Sequence, residues 1–167
     1  NHQMTLQILG IGVAALPCRA EDGFVPDPAA AEALIDATTR AIVLVTPNNP
    51  TGAIYPEGVI AAFAALARRR GLALIVDETY RDFLADGANR AHGLLAAPDW
   101  RDHVVQLYSF SKSYAVPGHR VGAIVAGPAA MGEVLKVLDS VQICAARPGQ
   151  EALAWAIAAM AGWRQDM

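Results

Sequence analysis

The stretch AIVLVTPNNPTG, Ala41–Gly52, decides the fold. Its first half is a short β-branched run and its second half a cluster of turn formers, so it reads as a buried strand that ends abruptly in a loop. Outward from it the pattern repeats. Pro56 and Glu57 open a helical period through IAAFAALARRR, whose three arginines suit a last turn and whose Gly71 suits a stop. LALIVDE follows as a strand, then HVVQLYS, then VGAIVAG. Short apolar runs alternating with longer helical stretches predict parallel strands joined by crossovers. The fold class is therefore α/β, a three-layer α/β/α arrangement around a mostly parallel sheet, with HVVQLYS and VGAIVAG apolar enough to be covered on two faces.

On the amino-terminal side, VAALPC is expected as a strand, EDGFVPD as a turn, and PAAAEALIDATT as a helix with Pro28 in its first turn. On the other side, PAAMGEVLKVLDSVQICAA and PGQEALAWAIAAMAGW predict two terminal helices, and the three tryptophans read as packing residues. GIGVAA, Gly10–Ala15, has the form of a dinucleotide-binding turn. Pro17 and the turn EDG follow where its helix would run, so that signal is set aside.

A chain of 167 residues with 54% hydrophobic content suits one domain with a sizeable core, and no domain boundary is placed within it. A net charge of -3 offers no electrostatic reason to expect nucleic acid or an anionic membrane as partner. Cys18 and Cys144 lie far apart without a CxxC or zinc spacing, so no disulfide is expected and a reducing cytoplasm is the default. The longest apolar stretch, ALAWAIAAMAGW, is too short to span a bilayer, and His2, His92 and His103 offer no metal-ligand pattern. The chain opens NHQMTLQ and closes WRQDM directly after a helical pattern, so residues 1–167 are read as an interior piece of a longer protein.

Ligands of open α/β sheets collect beyond the carboxyl ends of the strands. Four polar clusters stand there: Asn48 to Gly52, Asp77 to Tyr80, Ser109 with Ser111 and Lys112, and His119 with Arg120 ahead of VGAIVAG. An amine, an acid, a phenol, an amide, hydroxyls and a guanidinium are an odd set for hydrolysis. They suit a phosphorylated pyridine aldehyde. Lys112 can form a Schiff base with the aldehyde, and Asp77 can keep the ring nitrogen protonated so that the ring withdraws electrons. Tyr80 and Asn49 can donate to the phenolic oxygen, and Ser109, Ser111 and Arg120 can hold the phosphate. Each also has a plain reading: a solvated lysine, a capping aspartate, turn chemistry in NNPTG, a packed tyrosine, a surface ion pair for Arg120. Glu78 and Arg81 are placed on the solvent side or in structural pairs, and His119 receives no role.

NPTG at Asn49–Gly52, DETY at Asp77–Tyr80, SFSKS at Ser109–Ser113 and GHRVG at Gly118–Gly122, in this order and at these separations, resemble the fold-type I pyridoxal-phosphate enzymes of aminotransferase class I/II. The resemblance covers nearly the whole chain. It implies catalytic roles for Lys112, Asp77 and Tyr80, and a pyridoxal 5'-phosphate site made of Asn49, Asp77, Tyr80, Ser109, Ser111, Lys112 and Arg120. It further implies ping-pong transfer of an amino group from an amino acid to a 2-oxo acid, a homodimer, and a chain that is a fragment of the large domain without the N-terminal segment or the small domain. Two other activities share these residues: a fold-type I lyase of the carbon-sulfur type, and an aminotransferase-like effector domain of a transcriptional regulator.

Overall fold

Four of the five expected strands form one sheet in a computed structural model that describes residues 2–84 and 92–165. Strands β1 (Ala41–Val45), β2 (Ala73–Asp77), β3 (Val104–Ser109) and β4 (Gly122–Ala126) lie in the order in which the chain supplies them. β1 pairs with β2 and β2 with β3 in parallel, whereas β3 pairs with β4 antiparallel. That last reversal matters for function. It brings the loop before β4 to the same rim as the carboxyl ends of β1, β2 and β3.

Seven helices are described: α1 (His2–Ile8), α2 (Pro28–Leu34), α3 (Glu57–Arg70), α4 (Phe110–Ser113), α5 (Pro128–Val141), α6 (Arg147–Ala159) and α7 (Ala161–Gln165). Helix α3 starts and stops where the sequence says. Glu57 sits in its first turn, Arg68, Arg69 and Arg70 in its last, and Gly71 takes the left-handed conformation, φ 65°, that lets its N–H reach the carbonyl of Ala67. Its Ile60, Phe63, Leu66 and Ala67 are buried in one cluster with Leu44 of β1 and Leu74 and Val76 of β2. Leu74 and Val76 are alternate residues of one strand, so one sheet face meets one helix stripe.

Helix α2 is shorter than its pattern. Asp27 caps it by accepting from the N–H of Ala29 at 2.9 Å. At the other end the Asp36 carboxylate takes the N–H groups of Thr38 at 2.8 Å and Thr39 at 3.0 Å, a local turn that competes with further helix. VAALPC is not a strand: Val13–Cys18 runs as irregular chain, mostly exposed, and the sheet order leaves it no neighbour. Pro17 also withdraws a donor that a ladder would need. The segment GIGVAA is likewise irregular.

β4 departs from the expected double cover. Ile124 and Val125 remain 39% and 38% exposed, so within the described residues no layer closes over that strand. The terminal helices form with other bounds than expected: α5 stops at Val141, before QICAA, and the second helical pattern is divided at Met160 into α6 and α7. Leu153 and Ala156 of α6 make a second cluster with Tyr114. Trp155 and Trp163 are not packing residues here: both are exposed, Trp155 because Leu153 and Ala156 turn the buried stripe away from it. Gly127 lets β4 run on into α5, since a Cβ there would stand 2.0 Å from the carbonyl oxygen of Arg101. Among the described residues no helix is long and apolar enough to cross a membrane, and no cluster of three or more His, Cys, Asp or Glu could hold a metal.

Candidate active site

The site is built from the carboxyl rim upward. The N–H of Thr46, just past β1, donates to the carbonyl of Asp77 at 3.0 Å, and the N–H of Glu78 donates to the carbonyl of Leu107 at 2.9 Å. These bonds carry the ladder one step beyond the strands and fix the loops relative to each other. In the loop after β1, Asn48 folds the turn on itself by accepting from Thr51 Oγ1 at 2.9 Å, which leaves the neighbouring Asn49 exposed. Asn49 Nδ2 donates to the hydroxyl of Tyr80 at 3.1 Å, joining the first two clusters across 31 residues of sequence.

Asp77 ends β2 with a side chain only 16% exposed. One carboxylate oxygen accepts from Thr79 N at 3.0 Å and Thr79 Oγ1 at 2.7 Å, and the other lies 2.7 Å from His2 Nε2. His2 was not among the expected site residues. Nothing in its local spacing points to Asp77, 75 positions away; only the docking of α1 on the rim brings them together.

The lysine follows β3 in a single helical turn. Ser109 caps that turn by accepting from Ser111 N at 3.3 Å, Ser111 is buried, and Lys112 is exposed. Among the described residues the amine of Lys112 has no hydrogen-bond or ion-pair partner, and the lysine turn follows β3, which pairs with β2 up to Leu107 opposite Asp77. The turn is tied to the last cluster by the N–H of Phe110, which donates to the carbonyl of Val121 at 3.2 Å. Arg120 lies two residues before Gly122, the residue of β4 opposite Ser109. Its φ of 53° and ψ of 44° are left-handed, a conformation that favours glycine, and its Nη1 donates to the carbonyl of Pro117 at 2.9 Å rather than to a carboxylate. His119 is exposed.

Glu78 is not on the solvent side but 1% exposed. Alternation shows why: Leu74, Val76 and Glu78 are alternate residues of β2 and its extension, on the buried face. It sits in structural pairs, accepting from Gln106 Nε2, 3.7 Å from Arg81 Nη1 and 3.4 Å from His92 Nε2. Burial pushes its carboxyl up, but His92, Arg81 and Gln106 together outweigh burial and hold it below its ordinary 4.5. A lowered folded-state value means stability that is present above the ordinary carboxylate range and lost as pH falls through the folded value. Glu78→Gln is therefore expected to flatten the acid limb of the denaturation midpoint against pH, measured by urea unfolding. An acid limb as steep as that of the unsubstituted protein refutes this.

A surface hollow lined by Arg40, Arg70, Gly71 and Leu72 lies at the opposite rim, ahead of β1 and β2, and takes no part in this chemistry. The rim at the carboxyl ends offers hydrogen-bond donors for an anion and for a ring oxygen, a carboxylate for a ring nitrogen, and an exposed amine.

Known proteins with this pattern give the arrangement its context. The family described as aminotransferase class I and II matches residues 1–165. An aspartate/prephenate aminotransferase of Thermus thermophilus is 37% identical over 131 residues, 78% of this chain and 31% of that protein. Among solved structures, an aspartate aminotransferase from Thermus thermophilus with maleate superposes with a TM-score of 0.87 at 26% identity, covering 99% of this chain and 44% of that one. A PLP-dependent aminotransferase from Streptococcus suis does so with a TM-score of 0.81 at 26% identity, covering 96% of this chain and 41% of that one. The chain thus spans less than half the length of the proteins it matches.

Proposed function

Because the chain belongs to the aminotransferase class I and II family, we propose that the protein it is part of is a pyridoxal 5'-phosphate-dependent aminotransferase moving an amino group from an amino acid to a 2-oxo acid. Residues 1–167 are then part of its cofactor-binding large domain, with the N-terminal segment and small domain outside them. The observation that carries the reading is the donor and acceptor set of the rim: Asn49 bonded to Tyr80 beside a shielded Asp77, with Lys112 exposed at the next strand end.

That set fits the cofactor. When bound, pyridoxal 5'-phosphate supplies an aldehyde that condenses with amines and a ring that accepts an electron pair. The Asp77 carboxylate has roughly four lone-pair sites. Thr79 and His2 occupy three of them, which leaves one for a ring N–H. Tyr80 accepts from Asn49, so its own hydroxyl hydrogen is available to the ring oxygen. Ser109 accepts from Ser111 N and keeps its hydroxyl hydrogen for a phosphate oxygen, Ser111 adds a second hydroxyl, and Arg120 spends one N–H on Pro117 and keeps the others. The Lys112 amine would hold the cofactor's aldehyde and, as a free amine, would carry the proton at the substrate α-carbon.

The family resemblance supports a homodimer, and the free Cys18 and Cys144 fit a reducing cytoplasm. The deciding experiment is incubation of the full-length protein with pyridoxal phosphate and a panel of amino acids. Conversion of the aldehyde cofactor to its amine form, with a 2-oxo acid produced, is the expected result. Elimination without that conversion identifies a lyase instead, and binding without turnover identifies a regulator.

Arg120 is the cation of the proposed phosphate cup. Arg120→Ala is expected to weaken cofactor affinity by about 10- to 100-fold, the worth of a charge-assisted contact, while amino-acid preference stays the same. Cofactor retention through dialysis reads this directly, and unchanged retention removes Arg120 from the cup.

A further inference from the structure

A second cluster of polar groups lies behind the lysine turn and has no part in the roles assigned above. Ser113, which immediately follows Lys112, is completely buried. Its hydroxyl donates to Asp82 Oδ2 at 2.7 Å, and the Tyr108 hydroxyl of β3 donates to the same oxygen while standing 3.0 Å from Ser113 Oγ. The other oxygen, Oδ1, accepts from Arg164 Nη1 of α7 at 3.1 Å. The Arg164 guanidinium also lies over the ring of Tyr114, 5.2 Å from its centroid. The Asp82 and Arg164 side chains are 11% and 23% exposed.

From this geometry we infer that Asp82 is a positioning residue for Lys112: its carboxylate locks the lysine turn to the segment that carries Tyr80, and Arg164 closes the clamp. The inference rests on the reading of Lys112 as the amine that holds the cofactor. Asp82 belongs to the 3-10 turn Arg81–Phe83, whose first flanking residue is Tyr80. One carboxylate therefore joins the phenol's segment, the end of β3, the lysine turn and α7.

The lysine turn needs such a clamp. It is four residues long, Phe110–Ser113, well short of what holds a helix together unaided. An ion pair this shielded gives little net stability, because desolvation offsets much of the attraction, but breaking one side of it is costly. Its worth here is geometric. The Tyr108 hydroxyl is a proton donor to the clamp at neutral pH, as any phenol is, and burial, then the Asp82 carboxylate, raise it further above its ordinary value.

The test compares two cofactor forms on the full-length apoenzyme. Pyridoxal phosphate makes the ring and phosphate contacts and also forms a C=N bond with the Lys112 amine, releasing water. Pyridoxamine phosphate makes the same ring and phosphate contacts and cannot form that bond. Asp82→Asn and Ser113→Ala are expected to lower affinity for pyridoxal phosphate by about tenfold while affinity for pyridoxamine phosphate stays within about twofold. Should Asp82→Asn fail to fold, Ser113→Ala, which removes only a hydroxyl, carries the test. Equal losses for both forms would mean general damage to the site and overturn the clamp, as would no loss for either. If the unsubstituted protein leaves the absorbance band of free pyridoxal phosphate unshifted and shows no preference between the two forms, the reading of Lys112 falls first and the clamp with it.

Discussion

Lys112→Ala in the full-length protein is expected to abolish the visible absorbance of the lysine-bound cofactor and to cut transamination by at least about 10⁴-fold, since in the proposed function one amine serves both as covalent anchor and as proton carrier. Stability should change by less than about 0.5 kcal/mol, as for other exposed positions without structural contacts. The reason is on the rim: Lys112 is exposed, and no described residue bonds its amine. Lys112→Arg separates the two properties of the side chain. It keeps the positive charge but does not lose its proton near neutral pH, so it cannot condense with an aldehyde and should be as inactive as the alanine variant. Absorbance titration with pyridoxal phosphate, single-turnover kinetics and a urea melt on both variants check these statements. Turnover retained in either variant removes the lysine from the chemistry.

Strand-length runs and their bounding turns made the sheet legible before any coordinates. AIVLVT, LALIVDE, HVVQLYS and VGAIVAG each contain a strand, and α3 runs from Glu57 to a Gly71 stop. These features are local: a β-branched run, a last-turn arginine cluster, a left-handed glycine. The failures are not local. VAALPC has strand composition, but a strand exists only with a partner, and no sequence window reports whether an edge is free. PAAAEALIDATT has helical composition, yet one Asp36 side chain with two N–H groups to bind ends the helix at Leu34. Trp155 is exposed because neighbouring residues on α6 define the buried stripe.

The same division runs through the site. Asn49, Asp77, Tyr80, Ser109, Ser111, Lys112 and Arg120 stand at strand ends or strand starts, where a parallel sheet with an antiparallel fourth strand places them on one rim. Their direct contacts are another matter. The bond from Asn49 to Tyr80 spans 31 residues, that from Ser113 to Asp82 another 31, and that from Arg164 to Asp82 spans 82. His2 on Asp77 and Arg164 on Asp82 belong to the two ends of the chain, and only packing of α1 and α7 onto the sheet reveals them. Glu78 is a different case: it is expected on the solvent side or in structural pairs, although it alternates with Leu74 and Val76, whose burial it shares.

Asp77→Asn should leave the cofactor bound while slowing removal of the substrate α-proton by about 10²- to 10⁴-fold, the rate equivalent of breaking one side of a shielded ion pair at about 3–5 kcal/mol. Asparagine matches the shape of aspartate and can still accept from Thr79, so the turn after β2 should survive. What it loses is the negative charge. An anion facing the ring nitrogen keeps a proton there, and the protonated ring stabilises the electron pair left on carbon. The side chain of Asp77 is only 16% exposed, so solvent screens that charge weakly. His2 sharpens the test, because it contacts the same carboxylate at 2.7 Å without standing on a strand end. His2→Ala removes one of three hydrogen bonds to a carboxylate that keeps its charge, so it should slow the same step by only about tenfold, the effect of one hydrogen bond to a charged group. Stopped-flow measurement of α-proton exchange into solvent reads both variants on one scale. If His2→Ala costs as much as Asp77→Asn, orientation of the carboxylate rather than its charge governs the step; if Asp77→Asn runs at the unsubstituted rate, Asp77 is not the ring partner.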